Sequence, residues 1–189
     1  MNKDFVFEIY NDKRTVFTLQ EIAILVNEPD FGRLKQRIHY YVTTVKLRNI
    51  RRGIYVKENY SPEELACKIY TPAYISLDYV LQKSGMIFQY DEYITIISYL
   101  RRIIHVNGNK MNYHKIKNTV LYNSAGITMY DNGISAATPE RAFLDTLYLN
   151  KEFHFDSIHS LNREIAGSLL SIYQSKKLDD RVEYLFKNA

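Results

Sequence analysis

Apolar positions change their period along this chain, and the changes mark its elements. Leu34, Ile38, Tyr41 and Val45 fall at i, i+4, i+7 and i+11, one face of a helix over about residues 31–47. Arg33, Gln36, Arg37, Tyr40 and Thr44 fall on the opposite face. A shorter helix precedes it, carrying Leu19, Ile22, Ala23, Leu25 and Val26. Thr18-Leu19-Gln20-Glu21 has the form of a capping box, in which hydroxyl and carboxylate satisfy each other's backbone N–H. Asn27-Glu28-Pro29-Asp30 ends this helix, because proline disfavours helical geometry at the residue before it. Further upstream, Phe5 and Ile9 share a face of a first helix over Asp4 to Tyr10. A turn at Asn11-Asp12-Lys13-Arg14 and a minimal strand at Thr15-Val16-Phe17 follow it. Downstream, Ile50, Ile54 and Val56 alternate like strand residues around Arg52-Gly53, where glycine supplies the positive φ of a tight turn.

The rest of the chain mixes both periods. Ser61-Pro62-Glu63-Glu64 predicts a second capping box and a helix to about Ile69, which puts a domain boundary near Tyr60. Thr71-Pro72 reads as a turn, and Ser76 as the cap of a helix from Leu77 to Ser84 that Gly85 ends. Tyr93 to Ser98, Ile103 to Val106 and Lys110 to Tyr113 read as strands, the last two joined at Asn107-Gly108-Asn109. Val120 to Tyr122 predicts a further short strand. Ile127 to Tyr130 and Ile134 to Ala136 flank the hairpin signal Asp131-Asn132-Gly133. Thr138-Pro139-Glu140 opens a helix with apolar Ala142, Phe143, Leu144, Leu147 and Tyr148. Two more helices are expected, over residues 158–173 with a buried stripe of Leu161, Ile165, Leu169 and Ile172, and over residues 178–187. The fold class expected is therefore α+β. Residues 1–60 form a winged helix-turn-helix, and residues 61–189 a mixed α/β domain with C-terminal helices.

Charge sharpens this picture. The formal charge is +4, but residues 1–30 carry 3 basic and 6 acidic groups, and residues 58–189 carry 14 and 15. Residues 31–57 hold eight cations and no carboxylate: Arg33, Lys35, Arg37, Lys46, Arg48, Arg51, Arg52 and Lys57. An acid-free basic block on a helix and a following hairpin is the footprint of a nucleic-acid-binding module. Arg33, Gln36, Arg37 and Tyr40 are the candidates for the major groove, where arginine suits guanine and glutamine suits adenine, and Lys35 is a further DNA-binding candidate. Arg48, Arg51, Arg52 and Lys57 are the candidates for phosphates. If about six phosphates are neutralised, log affinity falls with log salt at a slope near −5.

Composition excludes other classes. Hydrophobic residues make up 46% and charged residues 24%, which argues against a disordered chain. No apolar run approaches the ~18 residues of a membrane helix. The first eight residues are too short and too acidic for a signal peptide, so a cytoplasmic protein with no membrane partner is expected. Cys67 is the only cysteine and reads as a small buried hydrophobe. His105, His114, His154 and His159 have no metal-like spacing. No phosphate loop or nucleophile elbow occurs, and no catalytic, cofactor or metal site is assigned. Asp145, among apolar neighbours, reads as a hydrogen-bonded structural carboxylate. Arg101-Arg102 reads either as further phosphate contacts or as a solvated pair.

Four segments resemble AbiEi-type antitoxins, the transcriptional-repressor half of type IV toxin–antitoxin systems. They are Phe17-Thr18-Leu19-Gln20-Glu21-Ile22-Ala23, Ile50-Arg51-Arg52-Gly53-Ile54-Tyr55, Ala73 to Gly85 with its Tyr74-Ile75-Ser76 core, and Thr138-Pro139-Glu140-Arg141-Ala142 with Asp145. The resemblance spans residues 17 to 145, and nothing in the last forty residues extends it. It implies a bacterial repressor of its own operon that binds operator DNA with repeated or inverted half-sites. It also implies a co-encoded nucleotidyltransferase-like toxin, neutralised without a stable complex. The competing expectation is a nuclease or nucleotide-modifying enzyme targeted by the basic module. That reading would need clustered carboxylates and a metal, and Asp78, Asp91, Glu92, Asp131, Glu140 and Asp145 match no such spacing. A third is a winged helix that contacts protein rather than DNA.

Overall fold

The computed structural model describes residues 5–44 and 46–188. Asp4 and Val45, which the sequence assigns to the first helix and to the apolar stripe of the third, lie outside them. The described residues form an α+β protein of two compact units, one ending at Ile69 and taking in Asp131–Gly133, the other covering the rest from Tyr70.

The first unit runs α1 (Phe5–Asn11), β1 (Val16–Thr18), α2 (Leu19–Leu25), α3 (Phe31–Thr43), β2 (Arg48–Arg51), β3 (Ile54–Val56) and α4 (Pro62–Ile69). Its sheet has the order β1-β3-β2, both pairs antiparallel, with Val16 opposite Val56 and Arg48 opposite Val56. The helices close over it through Phe5, Ile9, Phe17, Ile22, Leu34, Ile38 and Leu47, all buried. The box at Thr18 forms in full and starts α2. Asp30 caps α3 by accepting from the N–H groups of Gly32 and Arg33. The helix ends at Thr43, four residues earlier than its apolar pattern suggests. The Thr43 and Thr44 hydroxyls both turn back to donate to the Tyr40 carbonyl. Gly53, at φ +77°, makes the tight turn between β2 and β3.

The boundary falls after Ile69 rather than near Tyr60, because α4 is bonded into this unit. The Ser61 hydroxyl caps α4 by accepting from Glu64 N–H at 3.2 Å. The reciprocal half of the expected box is absent. Glu64 instead buries its carboxylate against β1, accepting from the N–H groups of Thr15 at 2.6 Å and Val16 at 3.0 Å. An edge strand with free donors offers a carboxylate more than one N-cap N–H does. Lys68 of α4 adds an ion pair to Glu21 of α2 at 2.5 Å.

The second unit holds β4 (Ala73–Ile75), α5 (Asp78–Lys83), β5 (Tyr93–Ser98), β6 (Arg102–Val106), β7 (Asn109–Lys115), α6 (Asn118–Leu121), β8 (Ile127–Met129), β9 (Ser135–Ala137), α7 (Pro139–Leu149), α8 (Arg163–Leu169) and α9 (Lys176–Asn188). Its six strands run β6-β7-β5-β4-β9-β8. The pairs β4–β9 and β5–β7 are parallel, the other three antiparallel. The hairpin at Asn107-Gly108 has positive φ at both residues, as a two-residue turn of this hand requires. Helix α7 is capped by Thr138, begins at Pro139 and is buried continuously from Glu140 to Leu147.

Several expectations are corrected here. Residues 118–121 form a helical turn, not a strand. Val120 and Leu121 are apolar enough for either, and both are buried in the main core. Helix α5 is not capped by Ser76. Leu77 occupies the cap position at φ +59° with no side-chain bond. Thr95 of the neighbouring β5 accepts from Tyr79 N–H in its place, while donating to the Ser76 carbonyl. Helix α8 starts at Asn162, whose side chain accepts from Glu164 and Ile165 N–H, and continues as a 3-10 turn over Leu170–Ile172. Its buried face is Ala166, Leu169 and Tyr173, whereas Ile165 is 45% exposed.

Candidate nucleic-acid interface

The exposed side of α3 follows from its buried one. Leu34 and Ile38 point into the core with Tyr41 beside them, which leaves Arg33, Lys35, Gln36, His39 and Tyr40 in solvent. Arg33 has a side chain 76% exposed and meets Asp30 at 3.5 Å. At such exposure the pair is a weak surface contact, readily exchanged for a phosphate. Tyr40 is 61% exposed, its ring edge-on to Tyr41. Along the flank of α3, Lys35, His39 and Val42 face Asn49 of β2 and Tyr55 of β3 across a groove of 490 Å³. His39 belongs to this surface by helical position but escapes a reading that counts only permanent cations.

The nine residues singled out in the sequence divide into three sets. Arg33, Lys35, Gln36 and Tyr40 are exposed together on α3, and Arg52 is exposed at the β2–β3 turn. Arg51 is half-buried on β2. The other three serve the fold. Arg37 lies over the Phe5 ring at 4.9 Å and reaches Glu28 at 3.9 Å. Arg48 donates to the Glu58 carbonyl and lies over the Tyr60 ring. Lys57 donates to the Asp12 carbonyl at 2.6 Å and to the Tyr10 carbonyl, with burial pulling its ammonium below the usual lysine range. In each the charged head lies over an aromatic ring and is held by a partner within the unit, a packing role that charge alone cannot reveal. Lys46, counted in the basic block, is exposed.

The second unit contains a different constellation. Arg141 and Asp145, one turn apart on α7, form an ion pair at 3.3 Å with both side chains fully buried. The Asp145 carboxylate also accepts from Ser76 at 2.8 Å, Tyr74 at 3.1 Å and Tyr173 at 2.7 Å. The Arg141 guanidinium is flanked by the Tyr74 and Tyr173 rings and donates to the carbonyls of Val120 at 2.8 Å and Ala125 at 2.7 Å. Burial pushes Asp145 up, and the guanidinium and three hydroxyls pull it back. Arg141 is penalised by burial, but Asp145 and the two tyrosines more than offset this and keep it charged. Gly126 completes the site. At φ +73°, a Cβ there would stand 2.9 Å from Arg141 Cβ and 3.0 Å from Leu169.

Tyr74-Ile75-Ser76 and Thr138-Pro139-Glu140-Arg141-Ala142 with Asp145 therefore meet at one buried cluster. The signal available in the sequence was an arginine and an aspartate at i and i+4 on an otherwise apolar helix. With every polar atom facing inward, the cluster organises the unit and presents nothing to a substrate. Among the described residues no three His, Cys, Asp or Glu side chains gather as a metal-binding set, and no helix is long and apolar enough to cross a membrane. No protein-family model matches this chain, and no curated protein matches it either, so its functional reading rests on its own residues.

Proposed function

We propose that the first unit is a winged helix-turn-helix that binds operator DNA, with α3 as the recognition helix and the β2–β3 hairpin as a short wing. The observation that carries this reading is the exposed face of α3. Arg33, Lys35, Gln36, His39 and Tyr40 stand there together, in a stretch with no carboxylate from Phe31 to Lys57. The order α1-β1-α2-α3-β2-β3, with β1 paired to β3, supports it. So does Arg52 at the hairpin turn. Arg33 and Gln36 carry the donors suited to base edges, while Lys35, Lys46 and Arg52 suit phosphates. With Arg48 and Lys57 committed to the fold and Arg51 half-buried, about three phosphate contacts remain, giving a salt slope near −3.

On this reading the protein is a cytoplasmic, non-enzymatic repressor of its own operon. The second unit is the antitoxin half of a type IV system, acting on a nucleotidyltransferase-like toxin without a stable complex. The antitoxin part stands on the resemblance of residues 17 to 145 to AbiEi-type antitoxins. Tyr74, Ser76, Arg141 and Asp145 of its two most specific motifs are buried together and support the fold, so contact with anything outside falls to other residues of that unit. A gel-shift titration against the DNA upstream of its own gene and a scrambled control tests the repressor reading. Tighter, salt-sensitive binding to the upstream DNA is the expected result. Equal binding to both would reduce the module to a general anchor. Growth rescue on co-expression with a nucleotidyltransferase-like product of the adjacent gene tests the antitoxin reading, and no rescue would remove it.

A further inference from the structure

A second concavity lies wholly within the second unit. It has a volume of 310 Å³, at the small end of the range for ligand pockets. Its walls are of two kinds. Leu77, Leu149 and Phe153 supply apolar surface, with Phe153 only half-buried. Arg101, from the loop before β6, and Lys115, at the end of β7, bring two exposed cations to the rim. His114 also lines it, and its Nε2 atom is buried with no hydrogen-bond partner among the described residues. A buried imidazole nitrogen without a partner costs free energy that a bound donor or acceptor recovers. Burial, helped by Arg101, holds this imidazole below its usual range. Asp78, at the start of α5, is the one carboxylate in the wall.

We propose that this pocket binds a mononucleotide, with the phosphate on Arg101 and Lys115 and the base against Phe153. The division of the walls matches the ligand. A nucleoside monophosphate has an anionic end, an apolar flat face and a hydroxyl-bearing sugar between them. Two cations suit the anion. An aromatic ring suits the base. Asp78 can accept from sugar hydroxyls, as acidic residues do in nucleotide folds. His114 Nε2 gains the partner it lacks. A bare phosphate would leave the apolar wall and Asp78 unused, and a purely apolar ligand would leave both cations unused.

Isothermal titration of the full chain with AMP, GMP, CMP and UMP tests this, with inorganic phosphate and the unphosphorylated nucleosides alongside. At least one monophosphate should bind saturably, and more tightly than its nucleoside or phosphate alone. Arg101→Ala with Lys115→Ala should weaken that binding on the order of tenfold or more, through the loss of charge-assisted contacts. Both positions are exposed, so the variant should keep the wild-type melting temperature. Phe153→Ala should lower affinity for the nucleotide but leave any phosphate affinity unchanged. Arg33→Ala with Lys35→Ala, on α3, should leave the titration unaltered. No binding by any monophosphate would overturn the proposal. So would binding equal to that of phosphate, or binding that survives the Arg101 and Lys115 substitutions but is lost with those on α3.

Discussion

Two arginine–aspartate pairs of nearly equal length do opposite work in this molecule. Arg33 and Asp30, 3.5 Å apart, have side chains 76% and 52% exposed. Arg141 and Asp145, 3.3 Å apart, are both fully buried. The first pair is screened by water and leaves its guanidinium available to a partner. The second has given up hydration altogether and replaces it with bonds to three hydroxyls and three carbonyls. Burial, not distance, separates an arginine that can recognise something from one that specifies a fold. Arg37, Arg48 and Lys57 fall between these poles, with charged heads held by internal partners and lying over aromatic rings.

The comparison breaks most visibly at Asp145. Asp145→Ala strands the guanidinium and three hydroxyls, and should cost about 3–5 kcal/mol. Urea unfolding followed by tyrosine fluorescence measures it, since the chain has 17 tyrosines and no tryptophan. A loss below about 1 kcal/mol would mean that the cluster is not the organising centre described here. Glu64 is the buried carboxylate of the first unit. Glu64→Ala should cost about 3 kcal/mol by orphaning the Thr15 and Val16 N–H groups, and Glu64→Gln clearly less, because an acceptor oxygen remains. Gly126→Ala adds a Cβ at positive φ against Arg141, and should cost about 2 kcal/mol in the same assay.

A smaller effect concerns acid. The Arg14 guanidinium bonded to Asp12 holds that carboxyl below its usual range, outweighing partial burial. Glu21 is pushed up by burial but pulled further down by Lys68 and Thr18. Both folded values lie below the unfolded ones. Their stabilisation is therefore complete above the ordinary values of 3.8 and 4.5, and is lost as pH falls through the depressed ones. Asp12→Asn with Glu21→Gln should flatten the acid limb of the stability curve by about 1 kcal/mol, leaving its shape above pH ~5 unchanged. An acid limb identical to wild type would place the sensitivity elsewhere. The smallest stability effect belongs to the α3 surface. Arg33→Ala with Lys35→Ala should change unfolding by no more than about 0.5 kcal/mol.

Much of this was legible in the sequence, for a physical reason. Capping residues act on backbone a few positions away, so Thr18 with Glu21, and Thr138 with Pro139, announced their helices correctly. Gly53 and Asn107-Gly108 marked their turns in the same way. The failures came where a side chain had a distant alternative. Ser76 left its expected cap for Asp145, and Glu64 left its own for β1, because a partner brought close by the fold competed successfully. The start of α8 was missed because Asn162, a cap, stood inside an apolar spacing that ran through it. At the candidate interface, helical period predicted the exposure of Arg33, Gln36, Tyr40 and Thr44. It could not show that Arg37, Arg48 and Lys57 are committed to Phe5, Tyr60 and Tyr10, rings contributed by other elements.

The most direct test of the central claim is the salt dependence of binding to the chain's own upstream DNA, measured for wild type and for a variant with Arg33, Lys35, Gln36 and Arg52 changed to Ala. The wild-type slope of log affinity on log salt should lie near −3. In the variant, which loses two of the three phosphate-suited cations, the slope should fall to about −1 and the preference over scrambled DNA should vanish, with unfolding unchanged. A variant that binds the upstream DNA as tightly and as selectively as wild type would contradict it.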